Sequence, residues 1–379
     1  MNDTRNTGLL PNGLRDTLPP DADFESYVID RLMAGFSAHG YDPVKPPLVE
    51  FEDGLLEGPG DAVAHRMFRL MDPLSKRMMG VRPDITPQIA RIATSRLANA
   101  PRPLRLSYAG TVLQVEGNGL SQDREIVQAG VELIGSAALT ADAEVILVAA
   151  EALRNAGITE PAFDLGAPAL VPLVCAGLGL DAATTEHARA ALDRKNTDNL
   201  TDLTDDQRKV LNALLGAAGR ADTALEKLAA LTLPPEAAAL VSALGEVIGH
   251  VRAADPDLSM TVDPVEFRGL EYQTGISFTI FARGVRGELG RGGRYPLGTG
   301  ETATGVTLFV APLLRVADWP DPSPCVYVPL DAGHATGAKL RADGWRTVAA
   351  LEADQDAETE ARRLGCSHVL RNYQPEVLK

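Results

Sequence analysis

Cysteine is scarce in this chain: three in 379 residues, Cys175, Cys325 and Cys366, far apart in sequence. None forms a CxxC pair, and no histidine stands at metal-ligand spacing from them. The pattern therefore predicts neither a disulfide nor a metal site, and the thiols read as small buried hydrophobes of a reducing compartment. The six histidines are isolated, which favours core or surface roles over catalysis. No apolar run reaches the length of a membrane span. The N-terminus, MNDTRNTGLL, has no signal-type apolar core. A soluble, cytoplasmic protein is the expectation. Positive charge is also in deficit, with 36 Lys and Arg against 51 Asp and Glu and a formal net charge of -15. An acidic chain is a poor counterion for a polyphosphate, so tRNA binding is not expected.

Hydrophobic residues are not scarce. At 45% of the chain they allow a substantial core, and the length allows one large domain with satellites. Phe24, Tyr27, Val28, Leu32 and Phe36 recur at helical spacing; Asp21 is placed to cap that helix and Gly40 to stop it. The stretch YDPVKPPLVE is then extended, because its prolines cannot donate to a ladder. Met78 to Val81 reads as a short strand, and Thr86-Pro87 as a helix start with Thr86 as the cap. Leu104 to Glu116 and Ile126 to Ile134 read as paired strands. In the second, Val127, Ala129, Val131 and Leu133 share one face, and Gln128, Gly130 and Glu132 the other. An amide, a hole and a carboxylate in a row suit a face that meets a small polar ligand, with the glycine admitting close approach. A half-exposed sheet face gives a similar alternation. An Ala/Leu-rich stretch, about 170–255, reads as a helical insertion. Residues 320–379 alternate short strands and helices and read as a small α/β module, leaving 1–316 as the main domain.

Four blocks follow one another along the main domain. They are GYDPVKPPLVE; VRPDITPQIAR; YAGTVLQVEGNGLSQDREIVQAGVELIG; and EFRGLEYQTG followed by GRGGRY. In this order they resemble the core of a class II aminoacyl-tRNA synthetase, and most closely a histidyl-tRNA synthetase, over most of residues 10–316. The resemblance implies an α+β fold with an antiparallel sheet flanked by helices. It also implies that Asp84, Thr86, Gln128, Glu132, Arg268 and Tyr272 line a histidine pocket or its surroundings. Two departures fall in the fourth block, where Glu271 and Gln273 replace an aspartate and a tyrosine of the signature. GELGRGGRYPLG lacks the Lys-Ser/Thr ending and the strand-to-helix context of a phosphate loop, and reads better as turns beside a sheet.

The nucleotide half departs further. Where the family carries an arginine on the ATP α-phosphate, this chain has Gln114; where it carries a second, in the last motif, this chain has Pro312. A neutral amide and a proline cannot stabilise charge on an attacked phosphate. Each such loss costs on the order of a hundredfold in rate. A histidyl-tRNA synthetase relative without these arginines, and with a short tail, resembles the regulatory subunits of ATP phosphoribosyltransferase. That resemblance implies a subunit without catalysis or cofactor. It would assemble with a short-form catalytic subunit, self-associate as a dimer within a hetero-oligomer, and mediate feedback inhibition by L-histidine. Two other readings stay open. A working synthetase or other ATP-dependent amino-acid ligase predicts histidine-dependent pyrophosphate exchange. A ligand-free scaffold predicts no histidine binding, with the polar residues satisfying one another in a vestigial cleft.

Overall fold

The apolar stripe of residues 24–36 forms the expected helix, α1 (Asp21–Ala38), with Phe24, Val28, Leu32 and Phe36 buried. Pro20, not Asp21, is its N-cap; Asp21 is the first helical residue, where its charge favours the helix dipole. Gly40 ends it at φ 77°, and the Gly40 and Tyr41 amides donate to the Ser37 and Phe36 carbonyls in a Schellman closure. The computed structural model describes residues 8–56, 64–117, 122–197, 200–201, 203–266, 275–319, 323–353 and 356–378.

After α1 come β1 (Asp42–Pro43), β2 (Val49–Phe51), a short α2 (Glu52–Leu56), β3 (Phe68–Met71) and β4 (Met78–Val81). Strands β2, β4 and β3 form a small antiparallel sheet of their own. Next are α3 (Thr86–Thr94), β5 (Leu104–Leu113), β6 (Glu125–Ile134), α4 (Leu139–Asn155) and β7 (Ala162–Gly166). The insertion supplies α5 (Leu170–Gly177), α6 (Ala182–Asp193), α7 (Asp205–Leu215), β8 (Gly219–Arg220), α8 (Ala221–Ala229) and α9 (Pro235–Ala254). The chain returns through β9 (Ser259–Val262), β10 (Ser277–Phe281), β11 (Gly290–Pro296), β12 (Thr302–Phe309) and the single-turn α10 (Val310–Leu313).

Among the described residues the main sheet has nine strands, in the order β1-β5-β6-β12-β11-β10-β7-β9-β8. Its centre is antiparallel, as expected; β1 with β5 and β7 with β9 are parallel. The Ala129, Val131 and Leu133 side of β6 packs under α1 and α4 in the large core. Ile85 and the α3 residues Ile89, Ala90 and Ala93 close over the β5 side in a second core. Strand β6 is therefore covered on both faces, which an exposed-face reading of it did not allow.

Two expectations are corrected here. GRGGRYP is not a set of turns but β11, an interior strand paired on both sides. Its Arg294 crosses to α4 and pairs with buried Asp142 at 2.6 Å. Helix α9 is, by length and a mean hydropathy of 1.3, long and apolar enough to span a membrane. Its many alanines help raise that value. Ala237, Val241, Leu244, Val247, Ile248 and Val251 form its buried side, and it packs on α4, α5 and α8.

The chain divides into two compact units, Met1–Asp318 and Trp319–Lys379. The second contains β13 (Cys325–Val328), α11 (Gly333–Ala342), β14 (Arg346–Ala349), α12 (Ala357–Arg363), β15 (His368–Arg371) and β16 (Gln374–Val377). Its sheet runs β14-β13-β15-β16, with β13 parallel to both neighbours. Val326, Val328, Leu340 and Leu370 form one small core, and Tyr327, Ala350, Ala361, Cys366 and Val369 another.

Candidate functional site

The β4–α3 connection brings Arg82 to Thr86 over the β5–β6 pair. Arg82 is buried and fixed there. Its Nε donates to the Thr111 carbonyl at 2.8 Å, and its Nη1 to the Pro46 carbonyl at 3.1 Å. Gly110 makes room for it, since a Cβ there would lie 2.4 Å from Nη2. Helix α3 starts one residue earlier than the Thr-Pro signal implies. Ile85 is the N-cap and Pro87 falls inside the first turn. The Asp84 carboxylate accepts the Thr86 amide at 2.9 Å, as an Asx residue ahead of a helix does. That leaves the Thr86 hydroxyl free to point at the sheet.

It meets Glu132. Thr86 Oγ1 donates to Glu132 Oε1 at 2.9 Å, and the Tyr295 hydroxyl donates to Oε2 at 2.8 Å. Glu132 is only 1% exposed. Burial pushes its carboxyl up to about 8, against the pull of the two hydroxyls and with a further push from Asp84. It lies over Gly305 of β12, where a Cβ would stand 1.8 Å from Oε2. Gln128, equally buried, accepts the Ile85 amide at 3.3 Å and hydrogen-bonds Asp84. Burial raises Asp84 as well, opposed by its bond to the Thr86 amide and by the charge of Arg291.

The hole at Gly130 has a different purpose from the one expected. A Cβ there would meet the Val306 carbonyl at 2.2 Å and the Tyr108 hydroxyl at 2.5 Å. The ring of Tyr108, paired with Gly130 across β5 and β6, fills the gap itself. Its hydroxyl reaches Thr307 Oγ1 at 2.8 Å and Thr86 Oγ1 at 3.4 Å. Buried beside Glu132, the phenol is raised well above its ordinary value.

Asp84, Thr86, Gln128 and Glu132 are thus brought together. Arg268 and Tyr272, and with them Glu271 and Gln273, lie outside the described residues. The sequence reading missed Tyr108, Tyr295 and Arg291 as members of the cluster. The period-2 register carried the signal, because Arg291 and Tyr295 fall on the same side of β11 and pair with Thr307 and Ala303 of β12. Arg291 pairs with Glu288, lies over the Phe309 ring at 5.5 Å, and among the described residues its buried Nε has no hydrogen-bond partner.

The nucleotide half is built differently. Gln114 is buried, and its Nε2 donates to the Pro83 carbonyl at 3.1 Å. Its main chain bridges Met67 and accepts from Arg124 Nε at 3.3 Å. The amide therefore braces the turn that carries Asp84. Pro312 stands at the third position of α10, where a missing amide costs no intrahelical bond, and the helix ends after one turn. Chemically, the cluster offers a carboxyl with hydroxyls on both oxygens and a second carboxylate at a helix start. These groups suit the N–H donors of an ammonium or imidazole.

Comparison with known proteins bears on the family and the fold. A family model described as histidyl-tRNA synthetase matches residues 13–313. An ATP phosphoribosyltransferase regulatory subunit of Rhodospirillum centenum is 52% identical over 362 residues, covering 95% of this chain and 94% of that protein. One of Gluconobacter oxydans is 46% identical, covering 98% and 97%. Among solved structures, an ATP phosphoribosyltransferase regulatory subunit/histidyl-tRNA synthetase from Bacillus halodurans superposes with a TM-score of 0.82 at 24% identity, covering 93% of this chain and 96% of that one. Histidyl-tRNA synthetase from Nostoc sp. superposes at 0.81 and 20% identity, covering 96% and 91%. At these identities the two structures show the class II fold.

Proposed function

The chain belongs to the family of ATP phosphoribosyltransferase regulatory subunits, with a regulatory role in histidine biosynthesis, and from that premise we propose that it has no chemistry of its own and controls a partner. The partner is a short-form catalytic subunit that joins ATP and phosphoribosyl pyrophosphate. This chain, dimeric within the cytoplasmic hetero-oligomer, supports that activity and carries the feedback signal of L-histidine. Such a signal requires only that histidine bind one assembly state more tightly than another.

One contrast carries this reading: the amino-acid half is an assembled polar cluster, while Gln114 is turned onto the Pro83 carbonyl. In the proposed site Asp84 and Gln128 face the ligand's ammonium and Glu132 its imidazole, with Thr86 orienting Glu132. Arg268 and Tyr272 complete it by resemblance, Arg268 as partner of the carboxylate. Calorimetry tests the site: histidine binds the purified chain, and Asp84→Asn weakens binding about tenfold or more, the cost of losing a charged hydrogen-bond partner. No heat with histidine, on the chain alone or on the assembled complex, would favour the ligand-free scaffold instead.

A further inference from the structure

Cys325 opens β13, and Cys366 lies between α12 and β15, in the second unit. Forty residues of sequence hide their proximity; their Sγ atoms stand 3.4 Å apart. The main chain holds them there. The Cys325 carbonyl accepts the Ser367 amide at 3.0 Å, the Cys325 amide donates to Ser367 Oγ at 3.1 Å, and that hydroxyl donates back to the Cys325 carbonyl at 3.1 Å. Strands β13 and β15 then run on in parallel from Val326 and His368. Closing a disulfide asks the sulfurs to approach from 3.4 Å to about 2.05 Å.

The two thiols differ. Cys325 is half-buried and open to a small reagent; Cys366 is 7% exposed, and burial pushes its thiol up. We propose that Cys325 and Cys366 form a reversible redox pair that closes to an intramolecular disulfide when the protein meets a low-molecular-weight disulfide. Cys325, as its thiolate, attacks one sulfur of the small disulfide and expels the other half as a thiolate, which takes up the proton Cys325 gave away. Cys366 then loses its proton, attacks the Cys325 sulfur of the mixed disulfide, and displaces the second small thiol. Two protein thiols are oxidised by two electrons, and one small disulfide is reduced to two thiols.

The site makes such a bond effective. The loop it closes contains β13, α11, β14 and α12, most of a unit whose two cores are small. Small units gain most from a staple. Cys175, fully buried in α5 of the first unit, serves as an internal control.

The test uses the full-length chain and oxidised glutathione as the probe, read by thiol titration in denaturant and by intact and peptide mass. Free thiols are expected to fall from the three of the sequence to one, Cys175. The mass falls by two hydrogens, and a single peptide pair joins Cys325 to Cys366. Proteolysis of the second unit slows about tenfold or more, and dithiothreitol reverses all of it. Cys366→Ser is expected to stop at one glutathione on Cys325. The proposal is overturned if native wild-type chain keeps all three thiols under exposure that oxidises the denatured chain. It is overturned equally if glutathione stays on Cys325 with Cys366 free, or if the disulfide joins two chains.

Discussion

Glu132 is a carboxyl kept from water by hydroxyls, with Thr86 and Tyr295 as its hydrogen-bond partners. It titrates near 8 in the folded chain against an ordinary 4.5. Folding therefore takes up a proton between those values. The contribution to stability is fully present below about pH 4.5 and is lost as pH rises through 8, with a slope of up to about 1.4 kcal/mol per pH unit. Glu132→Gln removes the titration. Urea unfolding at about pH 6 and about pH 8.5 is expected to show the wild type losing more stability than the variant between the two. Equal losses would mean that Glu132 is ionised throughout. Gln114 allows a second test. Gln114→Arg restores the residue type of an ATP-activating relative, yet it also breaks the bond to Pro83 and buries a charge. We expect a loss of about 1–3 kcal/mol in stability and no histidine-dependent pyrophosphate exchange above background.

Among the elements, the β5–β6 pair carries Tyr108, Gln128 and Glu132 of the site, and it was also the most legible in sequence. The alternation of β6 predicted which residues share a side. It did not predict what covers that side, because Tyr108 comes from the neighbouring strand and only the register places it over Gly130. Gly130→Ala is accordingly expected to cost about 3 kcal/mol in urea unfolding by overpacking against Tyr108 and the Val306 carbonyl. A neutral outcome would mean that the ring is not lodged there. Helix α1 was legible because its stripe and its terminal glycine agree. The starts of α1 and α3 were misplaced by one residue, since Asp21 and Thr86 have cap chemistry but the backbone turns just before each. Strand β11 was missed because four of its seven residues are Gly or Pro, which weigh against a strand. Strand β16 carries Pro375, which weighs against pairing. As an edge strand it tolerates a proline, and Asn372 and Tyr373 at positive φ form the two-residue turn that leads into it.

On the scale of the whole molecule, sequence order carried the ancestry: four blocks in series pointed to the class II fold that the sheet order and the solved relatives display. Pairs distant in sequence stayed hidden, Cys325 with Cys366 above all. The chain keeps the scaffold and an assembled polar cluster, while its formal charge of -15 and a Gln114 engaged with the Pro83 carbonyl fit poorly with tRNA or nucleotide chemistry. Control of a partner without catalysis is tested most directly by phosphoribosyl transfer to ATP, with a short-form catalytic subunit assayed alone, with this chain, and with this chain plus histidine. The predicted result is activity that rises when the chain is added and falls again with histidine, while the chain alone activates no amino acid. Transfer indifferent to the chain, or pyrophosphate exchange by the chain alone, would contradict it.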